Sequence, residues 1–142
     1  MRFNMNFLYW AAMAGIFAYF AYLRGWILTD FESISAKQAY ILLEKDKNVT
    51  LLDVRTRDEF NRGHIRGTEH IPVGILSENL SRLEKDKKIM IYCRSGSRSV
   101  TASRLLIKHG FSPINVKGGF IAWKEVVLDS ESHTLGAIKT TP

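Results

Sequence analysis

The residues best suited to chemistry lie in one run, Cys93-Arg94-Ser95-Gly96-Ser97-Arg98, which contains the only cysteine of the chain. An apolar stretch, Ile89-Met90-Ile91-Tyr92, leads into it, and a helical pattern with Val100, Leu105, Leu106 and Ile107 inward follows, with Gly110 just past its end. This predicts strand, loop, helix, with Cys93 at the carboxyl end of the strand, where parallel sheets bind ligands. Gly96 and the small Ser95 and Ser97 let the loop curl until successive backbone N–H groups point at one spot. The helix adds its positive N-terminal end, and Arg94 and Arg98 add fixed charge. All three effects favour a thiolate over a thiol. A thiolate in an anion-binding cradle is suited to attack an atom that belongs to an anion. A cysteine at a strand end is otherwise commonly buried and inert. The arginines, serines and glycine around Cys93 argue against apolar burial.

The elements that must position this loop can be read on both sides of it. Ser35-Ala36-Lys37-Gln38 has the form of a capping box, and the helix behind it carries Ala39, Ile41, Leu42 and Leu43 up to about Lys45. Val49–Val54 is a short, mostly apolar, β-branched run that predicts a buried strand. Asp58-Glu59-Phe60 predicts a helical turn broken by Gly63, Thr68–Ile71 a short strand ended by Pro72, and Leu76–Leu83 a short helix. Ile114–Val116 is a third apolar strand, Gly118-Gly119 a turn and Phe120–Leu128 a last helix. Thr29–Ser33 reads as a connector. From Asp129 to Pro142 the chain is polar and aperiodic, which predicts a loose tail. Strands alternating with helices predict an α/β layer with a parallel sheet.

Asp53-Val54-Arg55, Glu59-Phe60, Gly63-His64-Ile65-Arg66-Gly67, Ile71-Pro72, the Cys93–Arg98 loop and Gly118-Gly119-Phe120-Ile121-Ala122-Trp123 resemble, in this order, the rhodanese family. The resemblance spans Ile34 to Val127. It implies a parallel sheet flanked by helices and sulfur transfer through a cysteine persulfide. Carried over residue by residue, it makes Cys93 the nucleophile and Arg94, Ser95, Gly96, Ser97 and Arg98 the substrate-binding loop. The donor it implies is thiosulfate or a persulfide, and the acceptor a thiol, another thiophile or a protein. No metal or organic cofactor is implied. Gly67-Thr68-Glu69-His70-Ile71-Pro72 departs from the family's usual Gly-Ala before Asn-Ile-Pro, which predicts altered packing rather than lost activity. Phosphoryl and arsenate chemistry uses a Cys-x5-Arg cradle, but position 99 is Ser99, so the loop is Cys-x4-Arg. The tighter loop fits sulfur transfer. A second reading keeps the loop but makes the domain a sulfur-carrier or protein-interaction module with little turnover of small molecules.

Asp53 and Arg55 are read as structural support, an ion pair at a buried strand end that fastens the loop from beneath. His64 is read as a scaffold residue and Trp123 as core. His70, His109 and His133 lack metal-ligand spacing. Arg55, Arg57, Arg62 and Arg66 form either a steering patch or a solvated face.

Composition divides the 142 residues sharply. Residues 1–28 contain only Arg2 and Arg24 as charges, so all 14 Asp+Glu and all but two of the 20 Lys+Arg lie beyond Leu28. Phe7–Leu28, about 22 residues and about 33 Å as a helix, matches a hydrocarbon core of about 30 Å. Aromatic residues at both ends, Phe7, Tyr9 and Trp10 and then Tyr19, Phe20, Tyr22 and Trp26, resemble interfacial belts. Cleavage at Ala12-Met13-Ala14 would leave too short an apolar region for a signal peptide. The expected organisation is a transmembrane anchor over 1–28, a rhodanese-like domain over 29–128 and a flexible tail over 129–142. Arg24, Lys37, Lys45 and Lys47 favour a cytoplasmic domain. The net charge of +6 comes with interleaved acids, as in Glu84-Lys85-Asp86-Lys87-Lys88, which argues for a solvated surface and against nucleic acid as a partner.

Overall fold

The computed structural model describes residues 5–23 and 30–132. It contains helix α1 (Met5–Leu23), strand β1 (Glu32–Ser35), α2 (Ala36–Lys45), β2 (Val49–Asp53), α3 (Arg57–Asn61) and β3 (Glu69–His70). Two 3-10 turns, Val73–Glu78 and Leu80–Arg82, lead to β4 (Lys88–Tyr92), α4 (Ser97–Lys108), β5 (Ser112–Lys117) and α5 (Gly119–Ser132).

The five strands form one parallel sheet in the order β1-β5-β4-β2-β3. The two central strands are the apolar runs of the sequence. Alternation along them sorts side chains to the two faces. Leu52, Ile89, Ile91 and Cys93 join Leu76, Ala102 and Leu106 on the α4 side. Leu51, Met90 and Tyr92 join Ala39, Val116 and Trp123 on the side of α2 and α5. Leu52, Ile89 and Ile91 are fully buried, each contributing about 2 kcal/mol to the core.

Local capping fixes the helix starts. Ser35 accepts the Gln38 N–H at 3.2 Å while Gln38 Oε1 accepts the Ser35 N–H at 2.9 Å, the expected capping box. Thr56 and Glu59 build a second one, which the sequence reading missed. Glu32–Ser35 pairs with β5 as an edge strand instead of serving only as a connector. Its polar sequence carries no strand signal, and Asn115 helps hold it by donating to Ser33 Oγ at 3.3 Å. The expected helix over Leu76–Leu83 is two 3-10 turns that meet at Asn79, with the Asn79 N–H donating to Leu76 O and the Leu83 N–H to Leu80 O, both at 3.1 Å. The last helix continues past Leu128 through Asp129 to Ser132. The rest of the expected tail, 133–142, lies outside the described residues, as do 1–4 and 24–28 of the expected anchor.

Helix α1 has 19 residues, about 28 Å in length, and is long and apolar enough to cross a membrane. Nearly all of it is exposed. Its last turn rests on α4, where Ala21 is buried, the Arg104 guanidinium lies 3.9 Å over the Tyr22 ring and donates to the Tyr22 carbonyl.

Candidate active site

Strand β4 ends at Tyr92, and Cys93 is the first residue beyond it. Alternation turns Cys93 to the α4 face, and the fold buries it to 1% exposure. This differs from the expectation that its polar neighbours would keep it out of an apolar setting. Both features coexist because the residue packs in the core while its sulfur meets polar groups. Sγ accepts the Gly96 N–H at 3.1 Å and lies 3.6 Å from Ser99 Oγ, to which the thiol donates. Ser99 in turn donates to the Gly96 carbonyl at 3.0 Å. Ser99 is fully buried and was passed over in the sequence, where it counted only as the position an arginine does not occupy.

The loop owes its shape to Gly96 and to α5. Gly96 has φ +113°, a left-handed conformation that a side chain would strain. Gly119 has φ +57°, and a Cβ there would overlap the Cys93 carbonyl and lie 2.8 Å from the Arg94 carbonyl carbon. Only glycine lets α5 approach so closely. The approach is used: Phe120 N–H donates to Cys93 O at 2.7 Å and Ile121 N–H to Arg94 O at 3.2 Å. The first free amides of α5 thus hold the backbone of the loop.

Asp53 and Arg55 sit beneath, at the end of β2 beside Tyr92 of β4. Arg55 donates to Asp53 through Nε at 2.9 Å and through a terminal nitrogen at 2.6 Å, and to the Gly63 carbonyl at 2.8 Å. Both residues are buried, and the Arg55 guanidinium lies 4.2 Å over the Phe120 ring. Burial alone would lower the Arg55 pKa, but the Asp53 hydrogen bonds and charge outweigh it and raise the value. Burial, with the Asp53 charge beside it, raises the Tyr92 pKa. Arg55 is therefore neutralised within the fold and is no part of an open steering patch.

Arg94 is exposed and forms no ion pair among the described residues. Arg98 does. Its guanidinium grips both carboxylate oxygens of Glu59 at 2.7 and 2.8 Å. The Arg98 hydrogen bond is the largest cause that lowers the Glu59 pKa to about 2, and Glu59 raises that of Arg98. The same carboxylate closes the Thr56 capping box, accepting the Thr56 N–H at 3.0 Å. Glu59 so ties α3 to the first turn of α4, a role the sequence did not suggest.

The other aromatic and histidine residues serve the scaffold. His64 and His70 stack on either face of Phe60 at 3.8 and 4.2 Å, and Trp123 is buried to 1%. Among the described residues no three His, Cys, Asp or Glu side chains gather as a metal would require. Beside the loop opens a cleft of about 320 Å³ between α3, the loop and the start of α5.

Residues 35–126, from the first cap to the last helix, match the model of the rhodanese-like domain. The chain belongs to that family. A crystal structure of a rhodanese-like domain protein from Staphylococcus aureus superposes with a TM-score of 0.63 at 32% identity, over 66% of this chain and 91% of that one. The rhodanese-like domain is 36% identical over 95 residues to the putative sulfurtransferase YtwF of Bacillus subtilis, covering 67% of this chain and 92% of that protein. It is 30% identical over 95 residues to the thiosulfate sulfurtransferase GlpE of Coxiella burnetii, covering 66% and 88%. The match runs from the last residue of β1 into α5, takes in the other four strands of the sheet, and leaves α1 outside it.

Proposed function

We propose that the chain is a membrane-anchored sulfurtransferase that carries a sulfane sulfur on Cys93. The observation that carries this reading is the Gly96 N–H donated to Cys93 Sγ at 3.1 Å, within a Cys-x4-Arg loop at the carboxyl end of a parallel strand. The sulfurtransferases among its relatives support the same chemistry.

The cycle has two displacements. First, the Cys93 thiolate attacks the sulfane sulfur of thiosulfate or a persulfide. A bond to Sγ forms, the donor's S–S bond breaks, and sulfite or a thiolate leaves with the electron pair. Second, a thiol, another thiophile or a protein acceptor attacks the outer sulfur, and the electron pair returns to Sγ. Gly96 N–H stabilises the anion at Sγ. Arg94 meets the oxyanion end of the donor, and Ser95 and Ser97 keep the loop small and polar. Arg98, committed to Glu59, braces the loop and adds positive charge from behind. Asp53 and Arg55 hold the platform below. The chemistry requires no metal or organic cofactor.

Residues 1–28, including α1, serve as the anchor, and the residues from 29 to the end of α5 form the catalytic domain. Basic residues following α1 favour a cytoplasmic domain. In intact cells Cys93 is then protected from an impermeant thiol reagent, and its labelling would overturn that orientation.

The direct test of the reaction is intact mass spectrometry of the full chain after exposure to thiosulfate or a persulfide donor. The wild type gains one sulfur atom and Cys93→Ser gains none. Absence of the gain with every donor refutes the reading. Slow turnover with recovery of one dominant protein in mixed disulfide with Cys93 would favour the carrier module instead.

A further inference from the structure

Helix α4 carries a cationic face that the sulfur chemistry does not use. Ser97–Lys108 contains Arg98, Arg104 and Lys108 and no acidic residue. Arg98 is taken by Glu59. Arg104 and Lys108 lie one turn apart on the same side of the helix, with Thr101 and Leu105 between and before them. Neither cation forms an ion pair among the described residues, and the Arg104 Nε is buried without an acceptor among them. Helix α1 gives this face a depth. It is about 28 Å long, against a hydrocarbon core of about 30 Å, so Tyr22 in its last turn stands at the level where tyrosine rings meet lipid headgroups. The Arg104 guanidinium lies 3.9 Å over the Tyr22 ring and donates to the Tyr22 carbonyl. Residues 5–20 are exposed and Ala21 is buried, so α1 meets the domain through this last turn and then leaves it. Arg104 is thereby held at headgroup level with hydrogen-bond donors to spare.

We propose that Arg104 and Lys108 bind the phosphate of an anionic phospholipid and so seat the domain on the membrane surface. This proposal rests on the membrane-anchor reading and is independent of the sulfur chemistry. The guanidinium fork matches two phosphate oxygens, and the Lys108 ammonium adds a point charge one turn along the helix. Stacking on Tyr22 fixes the guanidinium in place before lipid arrives, which lowers the ordering cost of the contact. The seat matters for the site because α4 begins at the cysteine loop. From Ser97 to Arg104 is about 10 Å of helix, so a lipid held at Arg104 fixes the distance between that loop and the bilayer. The domain then keeps one orientation on the membrane.

The test places the full chain in vesicles of phosphatidylcholine, alone or mixed with phosphatidylglycerol. A fluorophore on Thr101→Cys in a Cys93→Ser background reports the α4 face, and one on Lys37→Cys reports α2 on the other side of the sheet. Quenching by a lipid with a nitroxide headgroup measures the seated fraction. Phosphatidylglycerol increases quenching at position 101 and leaves position 37 unchanged. Each cation near an anionic surface changes the seated-to-unseated ratio about fivefold, so the ratio falls about fivefold in Lys108→Gln and about twenty-fivefold in Arg104→Gln/Lys108→Gln. Lys108→Gln leaves the Tyr22 contact intact and so tests the charge without disturbing the packing of α1. Added chloride lowers the gain by screening, and inorganic phosphate at equal ionic strength lowers it no further. Equal quenching in both lipids, or a gain that persists in the double variant, overturns the proposal alone. Stronger suppression by phosphate than by chloride overturns it in favour of a free phosphate ligand. Release of the full chain from the vesicles by alkaline carbonate overturns it together with the membrane-anchor reading.

Discussion

The pair between Glu59 and Arg98 makes a quantitative prediction. Glu59 belongs to α3 and Arg98 to the first turn of α4, so their two hydrogen bonds, at 2.7 and 2.8 Å, clamp the active loop to the scaffold. The pair lowers the Glu59 pKa from 4.5 to about 2. At 1.36 kcal/mol per pH unit that shift corresponds to at most about 3 kcal/mol of stability. The side chains are 33% and 24% exposed, so water screens the pair and about 1 kcal/mol is the realistic share. A depressed carboxylate stabilises the fold above its unfolded value and loses that contribution as pH falls through its folded value. The loss therefore runs from about pH 4.5 down to about pH 2. In Glu59→Gln this contribution is absent at every pH. Urea unfolding of the full chain in detergent, followed by tryptophan fluorescence, measures the difference. At pH 7 the variant is less stable by about 1 kcal/mol, and the gap closes between pH 4.5 and 2. Carbon NMR of the Glu59 carboxyl gives the titration directly. A midpoint near 4.5, or a gap that does not change over this range, would refute the reasoning.

Three further outcomes follow from the same geometry. Gly119→Ala places a Cβ against the Cys93 and Arg94 carbonyls, so α5 must withdraw from the loop; we expect a loss of about 2 to 4 kcal/mol in thermal unfolding and loss of persulfide formation. Persulfide formation at the wild-type rate would show that the contact is dispensable. Asp53→Asn leaves the Arg55 guanidinium buried without its counter-charge and destabilises the domain by about 3 to 5 kcal/mol, read as a fall in the denaturant midpoint. Ser99→Ala removes the hydroxyl that accepts from the Cys93 thiol and donates to the Gly96 carbonyl at 3.0 Å, while changing little volume; we expect a loss of about 1 kcal/mol, read as a fall in the denaturant midpoint. A midpoint equal to that of the wild type would show that this hydroxyl does not fasten the loop.

Local sequence determined whatever near neighbours can decide. Val49–Asp53 and Lys88–Tyr92 are strands because short apolar, β-branched runs gain most when both faces are buried. Ser35 and Gln38 lie three residues apart, so their capping box was legible, and so was the Asp53–Arg55 pair two residues apart. The loop from Cys93 to Arg98 announced itself by composition and position. Other features depend on residues far apart in the chain. Glu59 meets Arg98 across 39 positions, and Gly119 meets Cys93 across a strand and a helix. Strand β1 has a polar sequence and exists because β5 offers it an edge. The tertiary structure also decided the setting of the cysteine. Composition placed Cys93 among polar residues, but the alternation of β4 turned it into the core and left one backbone amide and one buried hydroxyl to meet its sulfur. Residue types can specify that a loop will bind an anion. Which groups reach the sulfur, and which cations stay free beside it, is set by packing, because packing decides which charges are already paired.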